Sequence, residues 1–362
     1  GLFGKDPATG FTNDQHVSQD TEGDSWSLFG QVIWDITDQW ELAAGARYVN
    51  DEKQGTQRHE YVHGFLQALG WFPVGVELEA DTSDTDFAPE VTLTWRPNEN
   101  ITLWGAWKNG YKAGGYSAPT VLTSSFGIDN ITFDEEDADG FEVGIKTTLM
   151  EGRMRLNVTA YDYSFKDLQV STFRPETTTF TIGNAASAST TGIEVDAVFL
   201  ATDNLELYAE FGFNDAKQDS YPDAACYAFQ TEAEGCFGGF QDLAGKTLAV
   251  APKFTGSFGF ELSQPIGGNW IGTLSGETIY TDSYKTSGND QPLAVQPSFW
   301  RLRARVGIQS SDGKYDFSVI GRNLTDKIYA IGGARPGALT PADQGGGGSR
   351  PLSVLFQATY RI

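Results

Sequence analysis

The chain has no run of about 18 consecutive apolar residues, so a membrane-spanning helix is excluded. It has no basic run either, and its formal net charge of −23 over 362 residues would repel nucleic-acid phosphates. Nucleic acid is therefore not an expected partner. Cysteine is limited to Cys226 and Cys236, close together in a Gly/Glu-rich segment. In an oxidising compartment they are expected to close a small loop as a disulfide. No initiator Met, signal peptide or basic leader opens the chain, and Gly1 reads as the middle of a loop.

What is abundant points to β-structure. Aromatics make up 13 % of residues and glycine contributes 42, which fits a twisted β-protein with aromatic girdles. Near the C-terminus Trp300, Leu302, Ala304, Val306 and Ile308 alternate with Arg301, Arg303, Arg305 and Gly307. After a tight turn at Ser310-Ser311-Asp312-Gly313, Tyr315, Phe317 and Val319 alternate with Asp316 and Ser318. Leu352, Val354, Phe356, Ala358, Tyr360 and Ile362 repeat the pattern to the last residue. Period-two alternation specifies strands with one apolar and one polar face. A bulky apolar face opposite a row of arginines suits an outer-membrane barrel, with lipid outside and a wet lumen within.

Connections alternate between short and long. Short ones fall at Thr37–Gln39, Arg96–Asn100, Met150–Arg153, Ala201–Asn204, Gln264–Asn269 and Ser310–Gly313. Long ones run over 51–84, 113–134, 171–188, 218–246, 282–297 and 327–349. Tight turns at one end and long loops at the other are the asymmetry of such barrels. The expected fold is all-β: an antiparallel transmembrane β-barrel with about 14 visible strands. Residues 1–23 read as a leading loop segment and 24–362 as the barrel portion with long extracellular loops. Gly345-Gly346-Gly347-Gly348-Ser349 reads as a flexible stretch of the last loop.

Several segments resemble TonB-dependent outer-membrane receptors. They are Asn109-Gly-Tyr-Lys-Ala-Gly-Gly-Tyr116, Phe141-Glu-Val-Gly-Ile-Lys146, Asn184-Ala-Ala with Gly192-Ile-Glu-Val195, Ala251-Pro252, Asn323-Leu-Thr-Asp-Lys-Ile-Tyr329 and Arg350-Pro351, in family order. The resemblance implies the C-terminal part of a 22-strand barrel in the bacterial outer membrane. It also implies energy-coupled uptake of a scarce solute such as a ferric siderophore or an oligosaccharide. That family's plug domain and coupling box are not matched here, so contact with the TonB system is expected through a plug outside these residues. Lipid bilayer, lipopolysaccharide and a small-molecule ligand are the other implied partners; no cofactor is implied. Phe356, Tyr360 and Ile362 match the terminal signal read by the barrel assembly machinery.

Arg301, Arg303 and Arg305 share one face and are candidates for an anionic ligand, or for pairing with Glu261 and Glu277 across the lumen. Tyr111, Lys112 and Tyr116 are further ligand candidates, as are loop aromatics including Phe126, Tyr221, Tyr227, Phe229, Phe237 and Phe240. Asp134-Glu-Glu-Asp137 with Asp139 reads as a solvated acidic rim. His59-Glu60-Tyr61-Val62-His63 is a literal H-E-x-x-H, which on a helix would hold zinc beside a general base. It falls between strands, so an enzyme is a weaker reading than a receptor. No Ser/His/Asp set stands out. A passive 14-strand outer-membrane channel and a secreted all-β binding protein also fit parts of the pattern.

Overall fold

The computed structural model describes residues 4–12, 15–68, 75, 77–117, 132–174, 179–330, 335–336, 344–345 and 348–361. Thirteen strands form one antiparallel sheet in chain order. They are β1 (Gln15–Asp35), β2 (Trp40–Val62), β3 (Glu77–Asn98), β4 (Ile101–Lys112), β5 (Glu136–Leu149), β6 (Met154–Arg174), β7 (Thr179–Thr202), β8 (Leu205–Ser220), β9 (Phe254–Gly267), β10 (Trp270–Thr281), β11 (Phe299–Ser310), β12 (Tyr315–Arg322) and β13 (Ser353–Tyr360). Every strand pairs with its sequence neighbour, so the sheet is a pure meander. With thirteen antiparallel strands, β1 and β13 run in the same direction. No ladder joins them among the described residues.

The alternating residues face lipid on one side, which is why so many large apolar side chains are exposed. Leu28, Val32, Phe87, Phe141, Val306 and Phe356 are examples, the last at 83 % exposure. Aromatic rings mark the borders of this belt. Trp40 stacks on Trp95 at 5.5 Å near the short turns. Trp26 with Tyr48, and Tyr280 with Trp300, sit at the opposite border. Eight steps from Trp26 to Trp34, at roughly 3.3 Å each, give about 26 Å along the strand. A tilt of about 40° brings this to about 20 Å of height, close to the apolar band of outer-membrane barrels.

Three boundaries lie outside those expected from the sequence. β6 runs to Arg174 and β7 starts at Thr179, so part of the connection expected at 171–188 is a paired ladder, Ser171↔Ile182 to Arg174↔Thr179. β1 begins at Gln15, inside the segment expected to be a leading loop. β2 continues to Val62 and β3 starts at Glu77, so part of the connection expected at 51–84 is a paired ladder, Asp51↔Asp84 to Arg58↔Glu77. Here polar residues lie on both faces, so the hydrophobic alternation that marks a strand is lost while the backbone ladder continues. The outer side of this extension is acidic: Asp20, Glu22, Asp24, Glu52, Glu77, Glu79 and Asp81 are all exposed. Gly345–Ser349 is only partly described; Gln344–Gly345 pairs with Arg335–Pro336, and Ser349 donates its amide to the Tyr329 carbonyl. Phe126 and Ile362 lie outside the described residues.

Candidate functional site

The inner wall of the sheet carries ion pairs rather than an open positive strip. Arg303 pairs with Glu277 on the adjacent strand. Arg305 donates both to Asp316 Oδ1 and to Oδ2, at 2.8 and 2.9 Å. Lys108 reaches Glu142 at 2.9 Å, and Tyr163 donates to the same carboxylate. These paired groups neutralise one another at short range, which offsets their desolvation. Glu261 has no ion-pair partner within 4 Å among the described residues.

Arg301 differs from its two neighbours. Its guanidinium lies 5.3 Å over the Tyr329 ring and donates to the Tyr329 hydroxyl at 3.3 Å. Tyr329 in turn stacks on Phe299 at 4.4 Å. No carboxylate lies within ion-pairing distance of Arg301 among the described residues. It opens on a recess of about 510 Å³ that also meets Glu194, Glu210 and Glu277. Arg301 is thus the member of the arginine row left with positive charge to offer.

Tyr111, Lys112 and Tyr116 lie above the lipid belt, where the chain leaves β4. Their side chains are engaged within the protein. Tyr111 donates to Asp51. Lys112 Nζ lies 3.6 Å from Glu136. Tyr116 shares a hydrogen bond with Thr21, and its ring occupies the space over Gly55, where any side chain would overlap it. Glu135, beside them, has its carboxyl raised by burial and by the negative Asp137, Asp84, Asp86 and Asp134 around it. The acidic run expected to be a solvated rim is therefore partly covered.

The H-E-x-x-H segment is not on a helix. His59 sits in β2, fully buried, and burial lowers its pKa. Glu60 falls on the opposite face, where it meets His16 Nδ1 at 3.1 Å. His63 follows the strand, and its Nδ1 accepts the Phe65 amide at 3.2 Å. Strand geometry alternates neighbouring side chains, which separates the glutamate from the histidines a zinc base would need. No three His, Cys, Asp or Glu side chains converge as a metal site among the described residues.

Cys226 and Cys236 form a disulfide, with Cα atoms 5.8 Å apart. It closes part of the loop between β8 and β9. That loop packs Tyr221, Ala224 and Leu243 against Ala186, with Leu168 and Val170 alongside. Phe229 and Phe237 remain exposed on it. A second anchoring point has no local sequence signature. Gln169 and Asn184 hold the main chain at 112–113 and 134–135, through contacts some 50 positions apart. The sole signal in the chain is that Asn184 falls within one of the family-like segments.

Residues 3–324 match the family model described as "TonB dependent receptor-like, beta-barrel". Among solved structures, the ferric yersiniabactin uptake receptor FyuA from Yersinia pestis superposes with a TM-score of 0.73 at 14 % identity, covering 95 % of this chain and 46 % of that one. The siderophore receptor PiuA from Acinetobacter baumannii gives 0.69 at 16 %, covering 94 % and 44 %. The ferric citrate transporter FecA, unliganded, gives 0.62 at 15 %, covering 98 % and 47 %. The chain spans about half the length of these structures. At such identities the likeness is one of fold, and these neighbours are receptors and transporters rather than enzymes. The match over residues 3–324 carries the conclusion: the chain belongs to the TonB-dependent receptor β-barrel family of the bacterial outer membrane.

Proposed function

We propose that this barrel portion serves a receptor for energy-coupled uptake of a scarce solute, a ferric siderophore being the class best matched. The observation that carries the reading is the pairing of a lipid-facing belt with an inner arginine row in which Arg303 and Arg305 are held by carboxylates and Arg301 is not. A wall of this kind is suited to face another polar body, such as a plug domain, and the TonB system would act through that body. Arg301, backed by Tyr329 and Phe299, is the proposed contact for an anionic ligand. Arg303 and Arg305 are occupied by Glu277 and Asp316. Tyr111, Lys112 and Tyr116 shape the rim above. Lipopolysaccharide would surround the outer side.

A passive 14-strand channel gains no support from thirteen strands whose end members run parallel. The test is uptake of radioiron–siderophore complexes by cells carrying the intact gene, with and without an uncoupler of the proton gradient. Uptake abolished by the uncoupler and lowered by Arg301→Ala is expected. Ungated ion conductance in planar bilayers, with uncoupler-insensitive uptake, would replace this reading with the channel.

A further inference from the structure

Two segments distant in sequence meet above the lipid belt. After β4 the chain forms a two-residue ladder, Gly115–Tyr116 paired with Thr132–Phe133. Its roots, 112–114 and 134–135, are gripped from both sides.

On one side stand Gln169 and Asn184, directly opposite each other in the β6–β7 ladder at a bulge. Asn184 Nδ2 reaches the carbonyls of Asp167, Asp134 and Glu135 at 2.7, 2.9 and 3.1 Å, and its Oδ1 accepts the Asp134 amide at 2.7 Å. Gln169 Nε2 reaches the carbonyls of Ala113, Asp134 and Lys112 at 3.0, 3.1 and 3.3 Å. On the other side Lys53 donates to the Gly114 carbonyl at 2.5 Å, and Tyr116 crosses Gly55 to reach Thr21. The short ladder therefore bridges from β1–β2 to β6–β7, past the three strands between them.

A backbone segment outside a sheet must have its polar groups satisfied by something. Here two side-chain amides supply both donors and an acceptor. Glutamine and asparagine suit this because each amide offers two N–H donors and one oxygen. A carboxylate of the same shape would set oxygen against carbonyl oxygen.

We propose that Gln169 and Asn184 are positioning residues: they hold the segment 112–117 with 132–135 as a brace that fixes the spacing of β1–β2 relative to β6–β7 at the ligand-facing rim. That purpose rests on the receptor reading; the brace itself does not. Tyr111, Lys112 and Tyr116 then act by holding the rim's shape.

The experiment is amide hydrogen exchange on the full-length receptor in detergent, with Asn184→Asp and Gln169→Leu. Exchange across 113–117 and 132–136 should quicken by at least about tenfold, the loss of one or more well-made hydrogen bonds. The thermal midpoint of the barrel, and exchange in the separate ladder Tyr284–Lys285 with Val295–Gln296, should stay as in the parent. This local change without global change is what a general folding role would not produce. Should Asn184→Asp fail to assemble, Tyr116→Phe tests the opposite anchor without altering any residue of the thirteen-stranded sheet, and faster exchange at 132–136 is expected. Unaltered exchange in assembled Asn184→Asp and Gln169→Leu, or in Tyr116→Phe, overturns the brace. The readout needs no ligand, so failed uptake with a quickened brace would count against the transport reading alone.

Discussion

The side-chain amide of Asn323 donates to the carbonyl of Arg350, 27 residues later, at 3.0 Å, and to that of Lys327 at the same distance. Its oxygen accepts the Lys327 amide at 3.1 Å. Asn323 has a positive φ of 48°, a conformation asparagine tolerates better than most residues. Asp326 completes the knot by accepting the Leu352 amide at 2.9 Å. The Asn-Leu-Thr-Asp segment thus ties the end of β12 to the start of β13.

Asn323→Ala should destabilise this corner by about 1–3 kcal/mol, because carbonyls lose their donor and the left-handed backbone loses a residue that tolerates it. Asn323→Gly keeps the backbone and loses only the bonds, so it should fall between the parent and Asn323→Ala. Slowed appearance of heat-resistant barrel on gels measures the order; a glycine variant that behaves as the parent would count against the bonding role.

Val306 faces lipid on β11 and is 56 % exposed, midway between Trp300 and the turn at Ser310. Val306→Arg should cost about 2–4 kcal/mol, the expense of a cation near the bilayer midplane. Arginine at the exposed Gln357, on the lumenal face opposite Ser318, should cost far less. Urea refolding into lipid vesicles compares the two, and a similar cost for both would undo the assigned faces.

Asp6 is held by the Ala8 amide at 2.9 Å, the Tyr61 hydroxyl at 2.8 Å and the Thr9 hydroxyl at 2.8 Å. These donors lower its carboxyl from 3.8 to about 2. A lowered carboxylate stabilises above its unfolded pKa, and that contribution is lost as pH falls through the folded value. The turn at residues 4–12 should therefore release from Tyr61 as pH falls from about 4 to about 2. Protection of the Ala8 amide, followed across this range, should drop in the parent and show no step in Asp6→Asn.

Reducing Cys226–Cys236 should leave the barrel's melting unchanged. The ring closed by ten positions is small, so its effect is about 3 kcal/mol or less and confined to the loop. Protease cleavage near Phe229 should accelerate on reduction while the strands persist. A lowered barrel midpoint would show that the loop core around Tyr221 and Leu243 is coupled to the whole sheet.

The lipid-facing strands are legible in the chain where the two-residue alternation is clean, as from Trp300 to Ile308, and less so in β4, where Trp104 falls on the polar face. The disulfide is legible from the closeness of its two cysteines. The extension of β2 and β3 beyond Asn50 is not, since Glu52, Gln54 and Thr56 on one face and Lys53 and Gln57 on the other carry no apolar signal. At the site, Glu277 is an expected partner for the arginine row, whereas Asp316 is not. That choice depends on the register of β11 against β12, which alternation leaves open by two residues. The hydroxyls of Tyr111 and Tyr116 find Asp51 and Thr21 only once three hairpins are assembled, so their engagement is invisible in the chain.

The acidic outer flank of β1, β2 and β3 has a kinetic consequence. Seven exposed carboxylates beyond the lipid-facing belt gather a cloud of counterions and repel approaching anions. At low ionic strength that field reaches tens of ångströms, and at physiological salt it shrinks to about 8 Å. An anionic solute should therefore arrive faster as salt rises, the reverse of a receptor steered by a positive mouth. The proposed contact at Arg301 would act only at short range, where screening matters least.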